Sequence, residues 1–136
     1  MKNNPQILVA ESDLISIYLM EKILSRNNFD FDLVCTPTEV KEMLEENHYD
    51  LLILSTIGCI NEKTKIIDII SRIDEKEIPV LVLLTHQEKN MQIVGFENCD
   101  YLKKPFSTNE FIKKIRGLLK QKPGKTSRLS SQRSQN

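Results

Sequence analysis

No apolar run in this 136-residue chain is long enough to cross a membrane; the longest are a few residues, against the roughly 20 that a spanning helix needs. The start, Met1-Lys2-Asn3-Asn4-Pro5, offers no apolar segment for a signal peptide, so a cytoplasmic protein is expected. Net charge is also missing: 19 basic side chains face 19 acidic ones. Glycine is scarce, with four in all, and the turn Ala10-Glu11-Ser12-Asp13 has none, which argues against a dinucleotide or flavin site built on a glycine-rich first turn. Cys35, Cys59 and Cys99 are too widely spaced for a zinc knuckle or a redox C-x-x-C pair, and are expected as reduced, partly buried thiols. His86 has no second His or Cys at ligand spacing and reads as a surface residue.

The charge that is present is unevenly placed. Residues 122–136 hold Lys122, Lys125, Arg128 and Arg133 and no acid, leaving 15 basic against 19 acidic side chains in the remainder. Residues 1–121 therefore read as one domain, and 122–136 as a basic, disordered tail with nothing to bury. Four charges without interleaved aromatics argue against nucleic-acid binding beyond a weak contact through that tail.

Tyr49-Asp50-Leu51-Leu52-Ile53-Leu54-Ser55 organises the rest. Four consecutive apolar residues between polar ends read as a strand buried on both faces, hence the centre of a parallel sheet. Ile7–Ala10 and Val80–Leu84 are similar runs, and Phe31–Cys35 and Tyr101–Lys103 are weaker strands. Helical spacing recurs between them. Ile15, Leu19 and Ile23 mark a first helix ending near Arg26, capped by Ser12 or Asp13. A second opens at Thr36-Pro37-Thr38, a third spans roughly 63–75, and a short fourth 89–96. The last follows a capping box of Ser107 and Glu110 and buries Phe111, Ile115, Leu118 and Leu119. Five β-α units in sequence imply an α/β, doubly wound, five-stranded parallel sheet with helices on both faces. The three most apolar strands belong in the middle, which gives the order 2-1-3-4-5. Chemistry in such a sheet sits beyond the carboxyl ends of the strands, so Ser55 marks the site.

Ile7 to Asp13, Tyr49 to Ser55, Ile78-Pro79-Val80 and Asp100-Tyr101-Leu102-Lys103-Lys104-Pro105-Phe106 together resemble, in order and spacing, the receiver domain of bacterial response regulators (CheY-like). The resemblance covers about residues 5–121 and implies the flavodoxin-like topology just read. It also implies two-component phosphorelay signalling, in which an aspartate ending the third strand takes a phosphoryl group beside a Mg²⁺ ion held by that aspartate and an acidic pair. Carried over, the acceptor position falls on Ser55 and the acidic pair on Glu11 and Ser12. The phosphate-gripping lysine falls on Lys104, and the aromatic switch position on Tyr101. The partner hydroxyl falls on Thr85, or by count from Pro79 on Leu84, and the residues leave the two open.

The departures suggest a pseudo-receiver. Ser55 cannot form an acyl phosphate and has no adjacent base to activate it. Glu11 alone is a poor site for Mg²⁺, so binding of that ion is expected to be weak or absent, with no other cofactor. With three carboxylates reduced to one, Glu11 and Lys104 are expected to pair. Pro105 is a candidate for a cis bond. The chain is then expected to be no enzyme but an interaction module. It would bind another signalling protein, or itself, through the face that the family builds from its fourth helix, fifth strand and fifth helix: here Met91, Tyr101, Lys103, Phe106 and Lys113. The alternatives are phosphorylation at a non-standard residue, or a small ligand in the vacated pocket.

Overall fold

A computed structural model of the chain describes residues 4–55, 78–84 and 99–120. The expected third and fourth helices, the tail, Cys59, Thr85, His86 and Met91 lie outside the described residues. Among the described residues, eight elements follow in order: β1 (Gln6–Ala10), α1 (Leu14–Arg26), β2 (Asp30–Val34), α2 (Pro37–Glu46), β3 (Leu51–Ser55), β4 (Val80–Leu84), β5 (Cys99–Lys103) and α3 (Thr108–Leu119).

The strands form one parallel sheet in the order β2-β1-β3-β4-β5. Apolar content explains that order. Every residue of β3 and β4 is buried, as is all of β1 after Gln6, whereas β2 keeps Asp30, Asp32 and Leu33 exposed. A strand covered on both faces has no place for a charge, so the mixed strands take the edges. β5 begins at Cys99, two residues earlier than its apolar pattern suggests, and carries Asp100 inside the strand.

Alternation splits the core into two layers. Leu8, Leu52, Leu54, Val80, Val82 and Leu84 meet Val40 and Leu44 of α2 on one face. Ile7, Val9, Leu51, Ile53, Leu81 and Leu83 meet Met20 and Leu24 of α1 and Phe111, Ile115 and Leu118 of α3 on the other. Each fully buried Leu or Ile contributes about 1.5–3 kcal/mol.

Local chemistry sets the helix starts. Asp13 caps α1, accepting from the Ser16 amide. Thr36 with Glu39, and Ser107 with Glu110, form reciprocal capping boxes on α2 and α3. The Thr36 box was overlooked in the sequence although its S/T-x-x-E pattern is present. Ahead of β3, the Asp50 carboxylate accepts from the Gln6 amide of β1 at 2.8 Å and the Tyr49 hydroxyl donates to Asp32 of β2 at 2.6 Å, which ties the start of β3 to both strands.

The helix marked by Ile15, Leu19 and Ile23 is present, and its inward face is set by other residues. Met20 and Leu24 are its buried residues and Ile23 is half-buried, while Ile15 and Leu19 face solvent. The helix is apolar on most of its circumference, so periodicity allows more than one inward face, and packing against α3 and Phe29 selects another. Cys35 also departs from its expected burial: it is exposed, and Cys99 is half-buried.

Candidate functional site

At the carboxyl end of the sheet, β1 and β3 are adjacent, and the two residues that finish their inward alternation on the α1 side are Glu11 and Ser55. Both are fully buried. A carboxylate in such a place needs a partner, because desolvation of an unpaired charge is costly. Lys104, just past β5, supplies it.

The Lys104 ammonium donates to Glu11 Oε1 at 2.7 Å, to Ser16 Oγ at 3.0 Å and to Ser55 Oγ at 3.3 Å. Three N–H bonds are what an ammonium has to give. Its side chain is only 14% exposed. The second Glu11 oxygen turns back onto its own loop, accepting from the amides of Ser12 at 3.1 Å and Asp13 at 3.0 Å. The expected pairing of Glu11 with Lys104 is therefore present, and it is direct.

Ser16 is the residue that sequence reasoning missed. Its hydroxyl accepts from Lys104 and donates to Asp13 Oδ2 at 2.8 Å, so it relays the lysine to the helix cap. Two hydrogen bonds from Ser16, one from its hydroxyl and one from its amide, lower the Asp13 pKa, and the Lys104 charge adds a smaller pull in the same direction. The signal was legible in principle: once Asp13 is taken as the cap, Ser16 stands one turn in, on the side that faces the sheet.

A divalent ion is a poor match for these donors. Mg²⁺ requires several hard oxygens at near-octahedral geometry. Glu11 brings the one carboxylate that faces Ser55 and Lys104 among the described residues, and both of its oxygens are engaged. Asp13 is turned to Ser16. Among the described residues, no group of three or more His, Cys, Asp or Glu side chains is placed to hold a metal.

The other predicted positions separate. Leu84 packs in the α2-side layer, opposite the face that carries Ser55, so its side chain does not join the cluster. Thr85 and Met91 are outside the described residues. Tyr101 is half-buried against the α2-side layer, whereas Phe106 stacks on Phe111 in the other layer, with ring centroids 4.9 Å apart. Lys103 and Lys113 are exposed. Tyr101, Lys103, Phe106 and Lys113 thus flank the β5 edge from both sides of the sheet. A bidentate contact of Lys114 with Asp100, at 3.0 and 3.1 Å, ties α3 to that edge. The Lys104–Pro105 peptide bond is cis.

No family model matches the chain. Among curated proteins it is similar to the transcriptional regulatory protein BasR of Escherichia coli (strain K12), 29% identical over 119 residues, covering 85% of this chain and 52% of BasR. It is also similar to SrrA of Staphylococcus aureus (strain NCTC 8325 / PS 47), 27% identical over 124 residues, covering 87% of this chain and 48% of SrrA. The chain thus spans about half the length of these relatives. Among solved structures, the receiver domain of the Francisella response regulator 1452 superposes with a TM-score of 0.71 at 25% identity, covering 86% of this chain and 98% of that one. The receiver domain of the sensor histidine kinase PA1611 of Pseudomonas aeruginosa PAO1, solved with a magnesium ion in its active-site cleft, gives 0.74 at 18% identity over 86% and 98%. These likenesses and the sheet order identify the fold as that of a response regulator receiver domain.

Proposed function

We propose that this receiver-like domain of two-component signalling works as a protein interaction module without aspartyl phosphotransfer. One observation carries the reading. Where the resemblance places an acceptor carboxylate, the buried Ser55 hydroxyl stands, and the lysine that would grip a phosphoryl group is bound instead to Glu11, Ser16 and Ser55.

The chemistry follows from charge. An incoming phosphoryl group needs a carboxylate nucleophile, a cation to neutralise its oxygens, and room. Ser55 supplies no carboxylate, so it cannot form an acyl phosphate. Lys104 is already neutralised at 2.7 Å by Glu11. Removing it from Glu11 would leave a buried carboxylate unpaired, which costs about 3–5 kcal/mol before any new contact forms. Lys104 is thus committed to Glu11, and on this reading the domain does not switch by phosphorylation. Its output is then set by its abundance and by what binds its surface.

An amide NMR titration tests this. With Mg²⁺ and a small phosphodonor added together, the resonances of Glu11, Ser12, Ser55 and Lys104 are expected to stay in place. Saturable shifts confined to those residues would overturn the proposal.

A further inference from the structure

Leu14, Ile15, Tyr18 and Leu19 are 79%, 72%, 59% and 50% exposed. At 100° per residue they occupy one arc of about 140° on α1. This is the outward face of a helix whose inward face is already buried, and contiguous apolar patches of this kind mark interaction sites. It is separate from the β5 edge, and it does not depend on whether Ser55 takes a phosphoryl group.

The charges around the stripe say what fits it. Lys22 lies in the middle of the same arc one turn on, its Nζ 5.2 Å from the Tyr18 ring centroid, and Arg26 follows. At the other end stands Asp13, whose carboxylate keeps part of its surface in solvent. On this face the cap before the helix is acidic, the first two turns are apolar, and Lys22 and Arg26 make the far end basic, with exposed Glu21 just outside the arc. Such a sequence is complementary to itself when reversed.

We propose that α1 is a homodimer surface and that its occupant is α1 of a second copy, packed antiparallel about a two-fold axis crossing the helix between Ser16 and Ile17. In that register Leu14 meets Leu19 of the second copy and Ile15 meets its Tyr18. Lys22 comes level with the loop of the second copy from Glu11 to Asp13, within reach of the Asp13 carboxylate. An isologous contact uses the same patch twice, and antiparallel packing opposes the two helix dipoles favourably. The chain carries no net charge, so no overall repulsion keeps two copies apart. Four side chains fall short of the roughly 800 Å² per partner of a standard interface, so the dimer is expected to be reversible and micromolar. It would also set Lys22 of one copy beside the Glu11–Asp13 loop of the other, at the mouth of the Ser55 cluster.

Sedimentation velocity of the full chain, from low to high micromolar concentration, decides the question. Wild type is expected to show a sedimentation coefficient that rises with concentration. Ile15→Glu and Tyr18→Glu, both at exposed positions, are expected to remain monomeric with unchanged circular dichroism. Tyr18→Phe should dimerise as wild type does, and Lys22→Glu should weaken association severalfold. A wild type that stays monomeric throughout would overturn the proposal, and so would an assembly that survives both glutamate substitutions. Binding of a synthetic acidic amphipathic helix to a strictly monomeric wild type would assign the stripe to a foreign partner instead.

Discussion

Lys104 Nζ lies 2.7 Å from Glu11 Oε1, across 93 residues of chain, with Glu11 wholly shielded from solvent. The pair joins the loop after β1 to the turn after β5, and Ser16 and Ser55 complete the shell of the ammonium. Lys104→Met should cost several kcal/mol in urea unfolding, because a buried carboxylate is left alone; broken buried pairs lose about 3–5 kcal/mol. The double variant Glu11→Gln with Lys104→Met should lose less than the sum of the single changes. Additive losses would show that the two groups do not depend on each other.

Ser16→Ala removes an acceptor from Lys104 and a donor to Asp13 at once. A loss of about 1–3 kcal/mol is expected, that of a buried group left short of a partner. A loss near zero, measured by the same unfolding experiment, would mean that water replaces the hydroxyl at no cost.

Acid should reveal the Asp13 cap. Ser16 holds the Asp13 carboxyl below its ordinary value in the folded state, so the folded protein binds that proton less readily than the unfolded chain does. The stabilisation is complete above the ordinary aspartate range and is lost as pH falls through the lowered folded value. Asp13→Asn keeps a good cap but not the charge. The stability gap between wild type and this variant should be present at neutral pH and should close in acid. A gap that stays constant down the acid limb would contradict the assignment.

Thiol chemistry should separate two of the cysteines. Burial raises the Cys99 pKa to about 11, whereas Cys35 is exposed. Since the thiolate is the nucleophile, an alkylating reagent followed by peptide mapping should label Cys35 well before Cys99. Equal rates would mean that β5 opens at its amino end.

Much of the fold was legible because few alternatives suited these residues. Three apolar runs demanded cover on both faces, and that placed β1, β3 and β4 at the centre. The Glu11–Lys104 pair was legible from charge alone: one carboxylate and one lysine at the same end of a buried sheet have little else to bind. What could not be read was a choice between equals. On α1, Leu14, Ile15, Ile17, Tyr18, Leu19, Met20, Ile23 and Leu24 surround most of the helix, and a period of 3.6 does not say which side turns inward. Asp100 hid the first half of β5, because a charge inside an edge strand looks like a loop until Lys114 is seen to meet it. Ser16 was hidden because a serine inside a helix is unremarkable until its cap and its lysine are located.

The most direct test of the central claim is the intact mass of the purified chain after incubation with Mg²⁺ and a small-molecule phosphodonor, beside an ordinary receiver domain as control and a Ser55→Asp variant. The closed Glu11–Lys104–Ser55 cluster predicts no added phosphoryl mass on wild type while the control is labelled. A phosphoryl adduct on wild type would contradict it, and mapping the modified residue would show which group accepts in place of the missing aspartate.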